Sequence, residues 1–448
     1  MVRRNTDCLT KLKNKASAPS SRVHAVPSLK IDTCFRQVRI VRQFALDRRF
    51  QVAFAFHVVS DGLKPSRLQN SQPDLEVRAF LRIFNAAAQR LRLDQYTVES
   101  GRRDLRTVAF LCGTRASVKQ VIDRVVDSPE GPIPIRIYKP SGPEIIRPAL
   151  VWFHGGGFVL GCMDMADGTC RTLAEESGAS VISVDYRMAP EHGLSAARQD
   201  CLEVVRWVAE HGSEIGVDPK RIAVGGDSAG GNLAAGVAQQ CAKDGFQLQL
   251  QVLVYPATDL SIDYKGGQNT QGYMLTYDSM QWLQSHISDD LSVKDPSVSP
   301  MMENDLRGVA PAVVVTAGFD PVRDDGLAYA ERLSKSGVSV KSFHYPGQIH
   351  GFLTFDLVLP AGGDALRQIG QTLNSTLGAQ SRESDRSAHA KRFQKIALHQ
   401  LVELSFSHIV AYEVIRDLHR PLLLPLEILV AAVKNSVGPK SGSHISVA

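Results

Sequence analysis

From about residue 118 onward the chain alternates short, nearly continuous apolar runs with amphipathic stretches. This rhythm restricts the fold more than any other feature. The runs read "VKQVIDRVV" (118–126), "IPIRIYKP" (133–140), "PALVWFHGG" (148–156), "ASVISVDYR" (179–187), "RIAVGGD" (221–227), "LQLQVLVYP" (248–256), "PAVVVTAGFD" (311–320) and "VSVKSFHYP" (338–346). Between most of them lie helical stretches such as "ARQDCLEVVRWVAEHG" and "DGLAYAERLSKSG". Strands this apolar are buried on both faces. Their alternation with helices predicts an α/β fold: a mostly parallel central sheet with helices on both faces. The segment 259–300 breaks the alternation with one helical piece, "TYDSMQWLQSHI", and reads as an inserted excursion over one edge. Upstream, Leu75, Phe80, Leu81, Phe84 and Leu91 fall at helical spacing behind Pro73 and Asp74, which predicts a helix over about 74–91.

Charge narrows the function. The net charge of +5 is unevenly placed: residues 1–50 carry +9 and residues 381–448 carry +3, so the body between is at −7. An acidic body argues against nucleic-acid binding by the main domain. The seven cysteines are scattered and contain no C-x-x-C pair. That pattern fits a reducing, cytoplasmic compartment and gives no zinc site. No stretch reaches the roughly 18–20 uninterrupted apolar residues of a membrane span. The basic N-terminus lacks the apolar region of a secretory signal. A homodimer is left open.

The chemistry lies at strand ends. "RIAVGGDSAGGNLAAGVAQQCAK" reads strand, sharp turn, helix, and Gly226-Asp227-Ser228-Ala229-Gly230 fits G-x-S-x-G. In such a turn a strained serine projects its hydroxyl above the sheet, and the flanking glycines pass close to backbone. The following helix points its positive end at the site. A phosphate loop does not fit, because no Gly-Lys-Ser/Thr follows. Upstream, His154-Gly155-Gly156-Gly157-Phe158 follows an apolar strand. A glycine run there offers bare amides to a tetrahedral oxyanion, and Ala229, after the serine, offers another. His154 reads as a support for that loop.

A nucleophilic serine needs a base and an orienting acid, which in this architecture follow it in the order Asp/Glu, then His. "TAGFDPVRDDG" offers Asp320, Asp324 and Asp325; "HYPGQIHGF" offers His344 and His350. Asp320 terminates its strand, whereas Asp324 and Asp325 begin the next helix and read as caps. His344 falls inside a strand; His350 lies in the loop beyond it.

"HGGGF", "DYRMAPEH" (185–192), "GDSAGG" (226–231), "YPATDL" (255–260), "DPSVSP" (295–300), "AGFDPVRDDG" (317–326) and "YPGQIHGF" (345–352) occur in this order. Together they resemble the hormone-sensitive-lipase-like (bacterial family IV) esterases of the α/β-hydrolase fold, over roughly residues 75–380. The resemblance implies Ser228 as nucleophile, His350 as general base and Asp320 as its orienting partner. It implies Gly155, Gly156 and Ala229 as oxyanion-hole amides, with Gly157 as a further candidate. It also implies a helical cap from about 74–98 and 259–290. The chain departs from the family after "APEH", reading "GLSAARQD" where members usually carry Pro-Phe-Pro-Ala-Ala.

The reading is a serine carboxylesterase for short- to medium-chain esters, with a small-molecule ester as partner and no metal or cofactor. An amidase or deacetylase with the same triad, or a non-catalytic receptor on the same fold, are the alternatives. The catalytic domain is expected over 71–384, between a basic extension at 1–70 and a C-terminal extension at 385–448.

Overall fold

Every residue of the strands "RPALVWF" (β3, Arg147–Phe153) and "AVVVTAGF" (β7, Ala312–Phe319) is buried, and both are interior strands of one eight-stranded sheet. The computed structural model describes residues 70, 72–88, 97–143, 145–265, 273–287 and 292–378. The other strands are β1 (Gln120–Val126), β2 (Ile133–Lys139), β4 (Ser180–Val184), β5 (Val217–Asp227), β6 (Leu250–Val254) and β8 (Val340–Ile349). Their spatial order is β1-β2-β4-β3-β5-β6-β7-β8. The pairs β1–β2 and β2–β4 are antiparallel, and all the others are parallel.

The eight described helices are α1 (Leu75–Ala88), α2 (Val98–Cys112), α3 (Met163–Ser177), α4 (Leu194–His211), α5 (Ala229–Lys243), α6 (Tyr277–Ser285), α7 (Arg323–Lys335) and α8 (Pro360–Leu377). Side-chain alternation along the strands splits the core in two. Val151, Phe153 and Val224 pack with Val204, Val205 and Val208 of α4 and Leu233 of α5. Leu150, Trp152, Val252 and Val254 pack with Leu173 of α3 and Leu366, Ile369 and Leu373 of α8. Helices thus cover both faces, as strands buried on both sides require.

This topology selects the site. The chain leaves β3 for β4 on one side and later returns to place β5 on the other. Such a switch point opens a crevice at the carboxyl ends of the strands. The glycine run follows β3 and the serine follows β5, so both meet at that crevice.

Three features differ from the expectations. Strand β8 runs on through Pro346-Gly347 to Ile349. Its pairing with β7 shifts so that Ala317 faces Tyr345 but Phe319 faces Ile349. The extra residues are held from outside: the amides of Asn70 and Asp74 donate to the carbonyls of Pro346 (3.2 Å) and Gly347 (3.0 Å). Second, α2 is a helix where no element was assigned. Thr97 and Ser100 close its first turn as a capping box. Third, β5 begins at Val217, four residues before the predicted run. The predicted end of α1, residues 89–91, lies outside the described residues, as do 1–69 and 385–448. No described helix is long and apolar enough to cross a membrane.

Candidate active site

Only Ser228 separates β5 from α5. Its backbone sits at φ 58°, ψ −119°, a conformation that L side chains rarely adopt. The strain is held by neighbours: Ser228 N–H donates to Val254 O (2.8 Å), and Ser228 O accepts from Asn232 N–H (3.1 Å). Asn232 Nδ2 also donates to Ala257 O (2.7 Å) and Val298 O (3.0 Å), fastening α5 to the start and end of the excursion. The flanking glycines are required. A β-carbon on Gly226 would collide with Gly230 O, and one on Gly230 with Phe153 O.

The shift in β8 brings His350 alongside Asp320. The Nδ1–H of His350 donates to Asp320 Oδ2 (2.8 Å), and Nε2 lies 2.8 Å from Ser228 Oγ. The acceptor-only carboxylate fixes the tautomer, leaving Nε2 as the acceptor for the serine hydroxyl. The other oxygen of Asp320, Oδ1, accepts from Val322 N–H (3.0 Å), so both are anchored. Asp320 is 1 % exposed and His350 9 %. The Tyr255 ring lies 4.7 Å from the His350 ring. His344 stays in the sheet, its Nδ1 2.8 Å from Thr316 Oγ1.

The glycine loop requires one correction. Gly155 N–H is committed: it donates to Asp227 Oδ1 (3.0 Å) and cannot also serve an oxyanion. The amides of Gly156, Gly157 and Ala229 make no hydrogen bond to another described residue. Gly156 (φ 118°) and Gly157 (φ 61°) both need left-handed backbone. His154 supports the loop as expected. Its Nδ1 lies 2.8 Å from Gly155 O, and its ring stacks on Tyr186 at 4.4 Å. Full burial holds its pKa below the usual imidazole range, so it stays neutral.

Asp227 was not singled out in the sequence, although it sits inside the motif. Burial pushes its carboxyl up to about 6, while the Gly155 amide and His350 pull it down. It ties the serine turn to the oxyanion loop across 72 residues. Arg102 of α2 also carried no sequence signal. It donates to Val159 O (2.8 Å) and Ala189 O (2.9 Å) and pairs with Glu191 (2.8 Å), clamping the far end of that loop to the "APEH" turn.

Asp325 is not a helix cap. It is buried, and its carboxylate accepts from Thr258 N–H (2.6 Å), Asp259 N–H (3.1 Å) and the Thr258 hydroxyl. It therefore anchors the start of the excursion. The exposed Asp324 makes a two-pronged pair with the buried Arg323 (2.8 and 3.1 Å). Asp325→Ala strands three donors and should lower stability by about 3 kcal/mol. Asp324→Ala should cost less, about 1 kcal/mol, because its own carboxylate is exposed and Arg323 keeps its bond to Gly318 O. Chemical denaturation of the two variants checks the contrast.

No group of three or more His, Cys, Asp or Glu side chains among the described residues is arranged to hold a metal ion. What the site offers is a hydroxyl, an imidazole bonded to it, a carboxylate bonded to the imidazole, and amides without partners among the described residues. Residues 150–354 match the family described as α/β hydrolase fold. Esterase LipI of Mycobacterium tuberculosis is 38% identical over 296 residues, 64% of this chain and 90% of that one. Ethyl acetate hydrolase of Pseudomonas putida is 32% identical over 316 residues, 68% of this chain and 99% of that one. The solved ester hydrolase EH1AB1 from the Lake Arreo metagenome, in complex with a bipyridine phosphonate derivative, superposes with a TM-score of 0.66. It is 36% identical, covering 68% of this chain and 100% of its own. The chain belongs to the α/β-hydrolase-fold family, and within it to the hormone-sensitive-lipase-like esterases.

Proposed function

We propose that this carboxylic ester hydrolase works through an acyl-enzyme on Ser228, and that its substrates carry short to medium acyl chains. The observation that carries the mechanism is the unbroken chain Asp320–His350–Ser228, with 2.8 Å at each link, at the tip of a strained turn. Ser228 Oγ attacks the ester carbonyl as its proton passes to His350 Nε2. Asp320 steadies the imidazolium that forms. The tetrahedral oxyanion is received by the amides of Gly156, Gly157 and Ala229, each worth about 3–4 kcal/mol in the transition state. His350 returns the proton to the departing alcohol. Water then enters, is deprotonated by the same nitrogen, and releases the acid.

The acyl-chain preference rests on what lies over the loop. A β-carbon on Gly157 would fall 2.5 Å from Leu283 Cδ1, so α6 sits directly above the oxyanion amides. Tyr273 packs on Phe319 at 5.3 Å beside it. A roof this low favours small acyl groups, in line with the ethyl acetate hydrolase relative. In a series of nitrophenyl esters, kcat/KM should peak at about two to six acyl carbons and fall for chains of about twelve or more. A maximum on long chains or on triglyceride emulsions would overturn this preference.

The catalytic unit in this reading is 71–384. Within the described residues its support is the sheet from Gln120 to Ile349, closed by α8 ending at Leu377. A cytoplasmic setting goes with it: the five described cysteines are all free thiols, and Cys170, Cys201 and Cys241 are buried.

A further inference from the structure

A cavity of about 460 Å³ lies between α2, β2 and α3, and none of Ser228, Asp320 and His350 lines it. Strand β2 stands three places from β5 in the sheet, about 14 Å away at the usual strand spacing. Four guanidiniums and two carboxylates face the cavity: Arg106, Arg115, Arg136 and Arg171 against Asp164 and Asp167. With Asp123, which pairs with Arg136 from outside the lining, the cluster carries one positive charge in excess.

The four arginines fall into two pairs. The inner pair is spent. Arg136 donates through Nε and Nη2 to Asp123 (2.6 and 3.1 Å) and through Nη1 to Asp164 (2.9 Å). Arg171 Nε donates to Asp167 (2.8 Å), and its guanidinium lies over the Tyr138 ring. The outer pair is not spent. Arg106 and Arg115 make no hydrogen bond among the described residues, and the carboxylates they face stand at 3.9 and 4.0 Å. Arg115 is nevertheless held in place, 3.9 Å above the Phe110 ring. Phe110 itself is 53 % exposed and forms an apolar wall at the mouth of the cavity.

We propose that this cavity binds a small organic phosphate monoester, its dianionic phosphate bridging Arg106 and Arg115 and its organic portion against Phe110. Two planar forks without hydrogen bonds offer the kind of donor that phosphate oxygens accept. The net positive charge of the cluster favours an anion. The exposed ring distinguishes an organic ester from inorganic phosphate. Bound ligand would hold the last turns of α2, which carry Arg106 and Phe110, to the segment just after it, which carries Arg115. Binding is therefore expected to raise the melting temperature by linkage, and to weaken as salt screens the guanidiniums.

The test is calorimetric titration of the full chain with phenyl phosphate and, separately, with inorganic phosphate, at low salt. One saturable site is expected, with phenyl phosphate bound several-fold tighter. Arg106→Gln combined with Arg115→Gln should weaken phenyl phosphate by at least ~10-fold, with ester turnover and melting temperature of the unliganded protein retained. Should the double variant melt early, Arg106→Gln alone serves, because this side chain is half exposed and unbonded; it should still weaken binding several-fold. Phe110→Ala should bring phenyl phosphate down towards inorganic phosphate. The proposal is overturned by absence of saturable binding. Unchanged affinity in the arginine variants, or binding seen only as competition with ester at Ser228, would overturn it too.

Discussion

Ser228→Ala should lower kcat/KM for ester hydrolysis by about 10⁶-fold, the scale on which removal of a triad nucleophile acts. The loss is chemical. The substitution keeps the β-carbon that the turn already accommodates at φ 58° and leaves Gly226 and Gly230 in place. It removes only Oγ, whose partner is His350 Nε2. The thermal midpoint should therefore move by no more than about 2 °C. Residual activity of more than a few per cent would mean that Ser228 is not the attacking group. The acyl-enzyme reading would then fail even though the fold stands.

The second large effect is expected at Asp320. An asparagine there can present an amide N–H to His350 Nδ1, which turns the imidazole so that a proton sits on Nε2. That nitrogen then cannot accept from Ser228 Oγ, and the geometry survives with the wrong tautomer. In the best-studied triad this costs about 10⁴-fold in kcat. The expected result is a fall of that order in kcat, with KM little changed. Asp324→Asn should leave kcat within about twofold, because its exposed carboxylate pairs with Arg323 and not with His350. Equal rates for Asp320→Asn and the parent would remove Asp320 from the mechanism.

These roles were legible in the sequence to different depths. Strands such as β3 and β7 were visible because burial on both faces leaves a continuous apolar run. The serine turn was visible because close backbone contacts, with Gly230 and with Phe153, leave room only for glycine at fixed positions around the serine. The end of β8 was not, because Pro346-Gly347 reads as a terminator. Its continuation depends on Asn70 and Asp74, more than 270 residues earlier in the chain. Helix α2 was missed although Val98, Leu105, Val108 and Cys112 fall on one face of it, because the polar run "ESGRRD" (99–104) interrupts the apolar pattern near its start.

The site shows the same limit. Three consecutive glycines are equivalent on paper, and which amides are spent depends on where Asp227 points. Asp325 looked like a cap because it opens a helix, yet its partners are Thr258 and Asp259 on another loop. Side-chain identity announced the chemistry. Long-range hydrogen bonds assigned the individual atoms.

The central claim is that one covalent intermediate forms on Ser228. It is tested most directly by treating the protein with an aryl phosphonate ester and locating the adduct by peptide mass spectrometry. Loss of turnover should track incorporation of one phosphonyl group per chain, on the peptide containing Ser228, with no labelling of the Ser228→Ala variant. An adduct on any other residue that tracks the loss of turnover, or ester turnover that persists once Ser228 is fully modified, would contradict the account.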